Sequence, residues 1–209
     1  MKEQFMDSLV TVTGIVWPLG LLAVIAFIIA TPWLREYFGR VVVNLMTKRR
    51  LNKDDYHLIR NVSLPTEESC IQIDHVIVSI YGIFVVETMN MRGSIYGSPH
   101  NTTWTQQNHH QTYKFQNPLR QNNENVSHLA RLLNLSGRQI HSLVAFIGNS
   151  TFKTEMPENV THGLDYIRYI ESKTERVLSG HEVQEIIEMI ESGRLANSFS
   201  TDWQHIRHV

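Results

Sequence analysis

The sequence predicts an α/β domain, a mixed sheet flanked by helices, preceded by one transmembrane helix. Three observations carry this. The chain has 209 residues, 42% hydrophobic and 19% charged, which suits one domain of ordinary size with room for an appendage. Leu9 to Ala30, "LVTVTGIVWPLGLLAVIAFIIA", is a run without a charge, and as a helix it would reach about 33 Å against a hydrocarbon core of about 30 Å. Behind it, strand patterns come first and strand alternates with helix later, the order of a mixed sheet with helices packed on it.

Residues 1–8 read as a short extracytoplasmic N-terminus and 9–32 as the membrane helix, kinked at Pro18, with Trp17 and Trp33 at the interfacial belts. A cleaved signal peptide fits less well, because Lys2 is offset by Glu3 and Asp7 and the apolar run is too long. One lysine precedes the helix, whereas Arg35, Arg40, Lys48, Arg49, Arg50 and Lys53 follow it. The positive-inside rule therefore turns the C-terminal part inward, as in a single-pass protein of the bacterial inner (cytoplasmic) membrane with its domain facing the cytoplasm. The single cysteine, Cys70, excludes a disulfide framework within the chain. In that compartment the six Asn-x-Ser/Thr sequons have no glycosylation meaning.

Residues 33–52 form a basic juxtamembrane segment with Leu34, Phe38, Val41, Val42 and Leu45 at helical spacing, an amphipathic helix. Residues 33–60 carry seven basic and three acidic groups, while 151–209 carry six basic and ten acidic ones. The basic segment fits attraction to anionic lipid, with contact to DNA as the other reading. The net charge of −1 makes no case of its own for non-specific nucleic-acid binding.

The domain occupies 53–209. "DDYHLIRNVSLP" is a first strand ended by Pro65, and 71–79 with 83–89 is a hairpin turning at "IYG", where Gly82 supplies a positive φ. "SIYG" at 94–97 extends the sheet. Residues 98–117 are polar and resemble neither helix nor regular strand. A helix then opens with Asn117 as N-cap and Pro118 at its first position, and Leu119, Val126, Leu129 and Leu133 form its apolar stripe. "HSLVAFIG" (141–148) is a buried strand, and helices over "GLDYIRYIES" and "GHEVQEIIEMIESG" complete the domain, the last with Val183, Ile186, Ile187 and Ile190 inward.

The hairpin holds the chemistry. If Ser79 faces Gly82, Asp74 lies directly opposite Glu87, with Cβ atoms about 5 Å apart. A three-residue loop would make them diagonal neighbours. Either way two carboxylates converge on a face whose other inner positions, Val76, Val78, Ile83 and Val85, are apolar, with Gln72 as the remaining polar residue there. Like charges so placed repel, so one protonates or a hard divalent cation binds between them. The plainer alternative has one acid paired to an arginine and the other in solvent. His75, on the opposite strand face, is a packed histidine.

"NVSLPTEESCIQIDHVIVSIYGIFVVETMNMRGSIYG", "WTQ" at 104–106, "YKFQNPLRQN" at 113–122 and "VAFIGNSTFKTEMPENV" at 144–160 together resemble the NERD family, the nuclease-related domain. The resemblance runs from about residue 39 to residue 190. It implies the restriction-endonuclease-like PD-(D/E)xK fold, in which an Asp and a Glu-x-Lys hold a metal for phosphodiester cleavage. Carried over, it implies Asp74 and Glu87 as ligands of Mg²⁺ (or Mn²⁺), with the Thr88 carbonyl as a third, and DNA, or else RNA, as substrate. The family's lysine falls on Met89, which strand alternation sets on the face of Glu87. An ammonium there would orient the attacking water and stabilise transition-state charge, and a thioether does neither. The expected function is therefore a membrane-anchored nuclease-related protein with weakened or lost cleavage. The alternative is a non-catalytic module binding nucleic acid or protein at the inner membrane.

Other positions depart from the family too. Gly39 is followed by Arg40 where many members have Gly-Glu, and Ser94 stands where tryptophan is usual. The missing cation could come from Arg92, Lys114 or Arg120. Gln121 and Asn122 resemble polar family positions facing the site, and Trp104, His109 and His110 could stack on or bond to a nucleic-acid strand.

Overall fold

Alternating β-branched and aromatic residues form strand β1 (Tyr56–Pro65), β2 (Cys70–Ser79) and β3 (Gly82–Met89), an antiparallel meander. This computed structural model describes residues 51–52, 55–65, 70–108 and 111–193. Residues 1–8, the segment 9–32 expected to cross a membrane, residues 33–50 with Gly39 and Arg40, and His109 and His110 lie outside the described residues. Among the described residues no helix is long and apolar enough to cross a membrane. Ile80 and Tyr81 alone join β2 to β3, and Gly82 has φ +123°. Ser79 faces Gly82, so the two-residue register is the one adopted.

The first sheet has the order β1-β2-β3-β7-β9, with β7 (Ile140–Phe146) and β9 (Val160–His162) parallel to their neighbours, so it is mixed. Helices cover both faces. On one lie α1 (Pro118–Leu132), against β2, β3 and β7, and α3 (Gly180–Gly193), against β1 and β2. Val76, Val78, Ile83, Val85, Leu129, Ile186 and Ile190 share that core. On the other lies α2 (Asp165–Glu171), whose Tyr166, Ile167 and Ile170 pack with Ile77, Phe84, Val86, Leu143 and Ala145. Asn117 caps α1 as expected: its Oδ1 accepts from the Leu119 N–H at 3.0 Å, with Pro118 in the first turn. The start of α3 is a capping box, in which Glu182 accepts from the Ser179 N–H at 2.7 Å and donates its own N–H to the Ser179 hydroxyl at 3.2 Å.

Two expectations need correction. Residues 98–117 are largely strand: β5 (Thr103–Asn108) and β6 (Gln111–Gln116) pair antiparallel, Trp104 facing Phe115. "SIYG" belongs to β4 (Gly93–Tyr96), which opens a second sheet of order β6-β5-β4-β8, with β8 at Ser150–Phe152. Only one face of this sheet is apolar, so Thr and Gln in strand alternation with Ile95, Trp104 and Phe115 mimic a polar loop in composition.

Inner-face alternation also breaks once. Ile59 and Val62 on β1, and Ile73 and Val76 on β2, belong to one core cluster although each pair is three residues apart. Ile59 pairs with Val76 and Val62 with Ile73, while the ladder register skips the position of Asn61, at φ +49°, and Asp74 between them. Both strands thus exchange faces at one level. Ile71 and Ile73, rather than Gln72, continue the inner face.

Candidate functional site

Asp74 sits at this break. The β2–β3 ladder stops one position short of it, at His75 opposite Val86. Beyond that point the Thr88 N–H donates to Asp74 Oδ2 at 3.2 Å, and the Thr88 hydroxyl donates to the same oxygen. The expected register therefore holds, but a side-chain clamp replaces the next backbone rung. Both donors use Oδ2. The surface ion pairs Arg168–Asp165 and His181–Glu185 lie elsewhere and do not involve Asp74.

Glu87 is on β3 beside Val144 of β7 and is half-buried. It shares its strand face with Ile83 and Val85 below and Met89 above. Asp74 and Glu87 thus come from adjacent strands where the strands part, a donor set suited to a hard divalent cation. Among the described residues no group of three or more His, Cys, Asp or Glu side chains converges for a metal. A cation here would depend on these two carboxylates, backbone oxygen such as the Thr88 carbonyl, and water.

Met89 lies beside Phe146 and packs against the cluster of Ile95, Trp104, Leu119, Val144, Phe146 and Val160, with Met91 next to it. A thioether suits that environment. Met89 has joined the seam between the two sheets, where a lysine could lay only its stem.

Helix α1 packs on the three strands β2, β3 and β7. Asn122 is fully buried, and its Nδ2 donates to the Val85 carbonyl at 2.9 Å, the Ser142 hydroxyl at 3.0 Å and the Leu143 carbonyl at 3.2 Å. It pins α1 across β3 and β7 one strand repeat below Glu87, while Oδ1 has no partner among the described residues. Asn125, one turn after Gln121, donates to the Gln72 carbonyl at 3.4 Å. Gln121, half-buried, occupies the same β2-facing side one turn nearer the site.

The predicted nucleic-acid contacts divide. Trp104 is 0% exposed, stacked on Phe146 with centroids 6.2 Å apart, and its indole N–H donates to the Ser98 carbonyl at 2.9 Å. It is a core residue, so its ring is not offered to a base. Arg92 is exposed between β3 and β4, and its carbonyl accepts from Gln106 Nε2 at 2.7 Å. Lys114 is exposed on β6, opposite Thr105 and out of phase with Phe115, so it projects from the second sheet's outer face. Arg120 is exposed at the start of α1. His75 is 1% exposed, as a packed histidine should be.

Sequence reasoning missed the Thr88 hydroxyl and amide as the partners of Asp74, and Asn122 as a clamp. The one advance signal for Asn122 was an amide on the stripe side of an amphipathic helix, where an apolar residue was due.

Comparison with known proteins gives the chain's family. Residues 35–147 match the family model described as "Nuclease-related domain" (NERD). An uncharacterized protein of Bacillus anthracis is 31% identical over 172 residues, covering 78% of this chain and 80% of that protein. No solved structure matches.

Proposed function

The chain belongs to the nuclease-related domain family, and from that premise we propose that it engages nucleic acid at the Asp74–Glu87 pair as a metal-dependent phosphodiesterase whose cleavage step is weakened or lost at Met89. The observation that carries this reading is the parting of β2 and β3 at two carboxylates, with Asp74 held by the Thr88 amide and hydroxyl through one oxygen. Asp74, Glu87 and the Thr88 carbonyl would hold Mg²⁺ or Mn²⁺, and Gln121 stands on the same side of α1. Such an ion supplies Lewis acidity toward a phosphodiester and acidifies water. The chain's own residues orient the acids, keep the floor of the site dry and, at Met89, offer no positive charge. Loss of one electrostatic group of that kind costs about 10² to 10³ in rate.

A specific observation favours a second reading. Met89 is packed into the seam between the sheets, as expected where selection has kept structure and released catalysis. In that reading the domain is a binding module for nucleic acid or a protein partner. Placement at a bacterial inner membrane, through residues 9–32, belongs to the same proposal and is supported by the uncharged run from Leu9 to Ala30.

The test is plasmid digestion with Mg²⁺ or Mn²⁺ by wild type, Met89→Lys and Glu87→Ala. Cleavage by Met89→Lys and not by wild type would mark a site sound in geometry and silent in chemistry. If Met89→Lys is inert and neither ion raises the melting temperature of the wild type, the metal-site reading is wrong.

A further inference from the structure

Trp104 is closed off, yet the strand pair that carries it presents another ring. Residues of β5 and β6 alternate, so Trp104, Gln106, Phe115 and Tyr113 share one face, Trp104 opposite Phe115 and Gln106 opposite Tyr113. Toward the base of the hairpin this face packs on Phe146. One repeat further out the apolar partner ends. There Tyr113 is 49% exposed, and its hydroxyl donates to Gln111 Oε1, which tethers the ring along the strand. Beside it Gln106 ties the hairpin to the Arg92 carbonyl just past the site strand.

Position and charge are consistent with one occupant. β3 leads to β4 through residues 90–92 and β7 to β8 through 147–149, and both pairs are parallel. The orders β7-β3-β2 and β8-β4-β5-β6 therefore correspond, and the hairpin extends to the side on which β2 carries Asp74. From Thr88 to Asn123 there is no acidic residue, and Arg92 and Arg120 are exposed cations, while Lys114 lies on the face of β6 opposite to Tyr113. A polyanion can lie along this surface without repulsion until it meets the carboxylate pair.

We propose that Tyr113 is the stacking platform for an unpaired base of the strand engaged at the Asp74–Glu87 site, which makes single-stranded or locally opened nucleic acid the preferred ligand class. The inference rests on the nucleic-acid reading above and adds Tyr113 and strand selectivity to it. Every base has a π-face, so stacking is tolerant of sequence but needs the base out of a duplex.

The test measures binding of fluorescein-labelled oligothymidine and of a labelled mixed-sequence duplex by the full chain in Ca²⁺, a hard cation that can sit on the carboxylate pair, for wild type, Tyr113→Ala and Tyr113→Phe. Tyr113→Ala is expected to lose about ten- to a hundredfold in affinity for the single strand. Tyr113→Phe should keep it, and the duplex should respond far less. Melting temperatures of both variants serve as a fold check, and this half-exposed side chain should leave them unchanged. Wild-type binding of oligothymidine that Tyr113→Ala leaves within twofold overturns the platform while the nucleic-acid reading stands. Wild type that binds neither probe overturns both.

Discussion

Replacing Asn122 tests whether its buried amide holds α1 on the site. Its three hydrogen bonds at about 1 kcal/mol each, less about 1 kcal/mol regained by removing the unpartnered Oδ1, leave Asn122→Ala about 2 kcal/mol less stable. That is a fall of about 4–8 °C in melting temperature for a domain of this size. Asn122→Asp keeps the shape but turns an acceptor toward the Val85 and Leu143 carbonyls, so folding must bury either a charge or a proton. The cost at neutral pH should reach about 3–5 kcal/mol. Because the new carboxyl would titrate higher when folded than when unfolded, its stabilising contribution is fully present below the unfolded value of about 3.9 and lost as pH rises through the folded one. The deficit of Asn122→Asp should therefore shrink on acidification, while that of Asn122→Ala should not. Urea unfolding followed by near-ultraviolet circular dichroism at several pH values measures both. Equal urea midpoints for Asn122→Asp and wild type at neutral pH would refute the clamp.

Two further outcomes follow from packing and charge. A Cβ on Gly148 would stand 2.0 Å from the Met91 carbonyl oxygen, whereas one on Gly137 meets nothing within 4 Å; Gly148→Ala should cost about 2 kcal/mol or more and Gly137→Ala almost nothing, and equal melting temperatures would contradict this. His141 stacks on Phe84 at 5.1 Å, and burial first, then nearby Lys173, hold its pKa below the usual histidine value. Its contribution to stability is present above about pH 6.5 and is lost as pH falls toward the folded value. His141→Gln should flatten that limb of the melting profile, and parallel profiles for variant and wild type would show that another group titrates there.

The elements most legible in the sequence were those with local punctuation. Asn117-Pro118 marked the start of α1, the spacing of Ile186 and Ile190 marked α3, and the short "IYG" turn marked the hairpin, whose two-residue register is one of the two the sequence left open. The second sheet was not legible, because a sheet half in solvent, built from Thr and Gln around Ile95, Trp104 and Phe115, has the composition of a loop. The same blindness made Trp104 look available, since its partner Phe146 is 42 residues away in sequence and no local pattern announces a stacked pair. Strand alternation put Met89 on the face of Glu87 but could not give its neighbours. Its packing partners Ile95, Leu119 and Phe146 come from three separate elements.

The joint change of face at Asn61 and Asp74 has a consequence for how such a site can evolve. In a perfectly alternating strand, an acid on the inner face must either be neutralised or weaken everything packed around it. Here the fault line works like a dislocation in a lattice: order is kept on both sides, and the misfit is confined to a single row. Ile73 and Val76 keep their partners whatever occupies residue 74. Chemistry and fold can then vary almost independently along that row, and a lineage could gain, dim or abandon catalysis there without having to reinvent the domain.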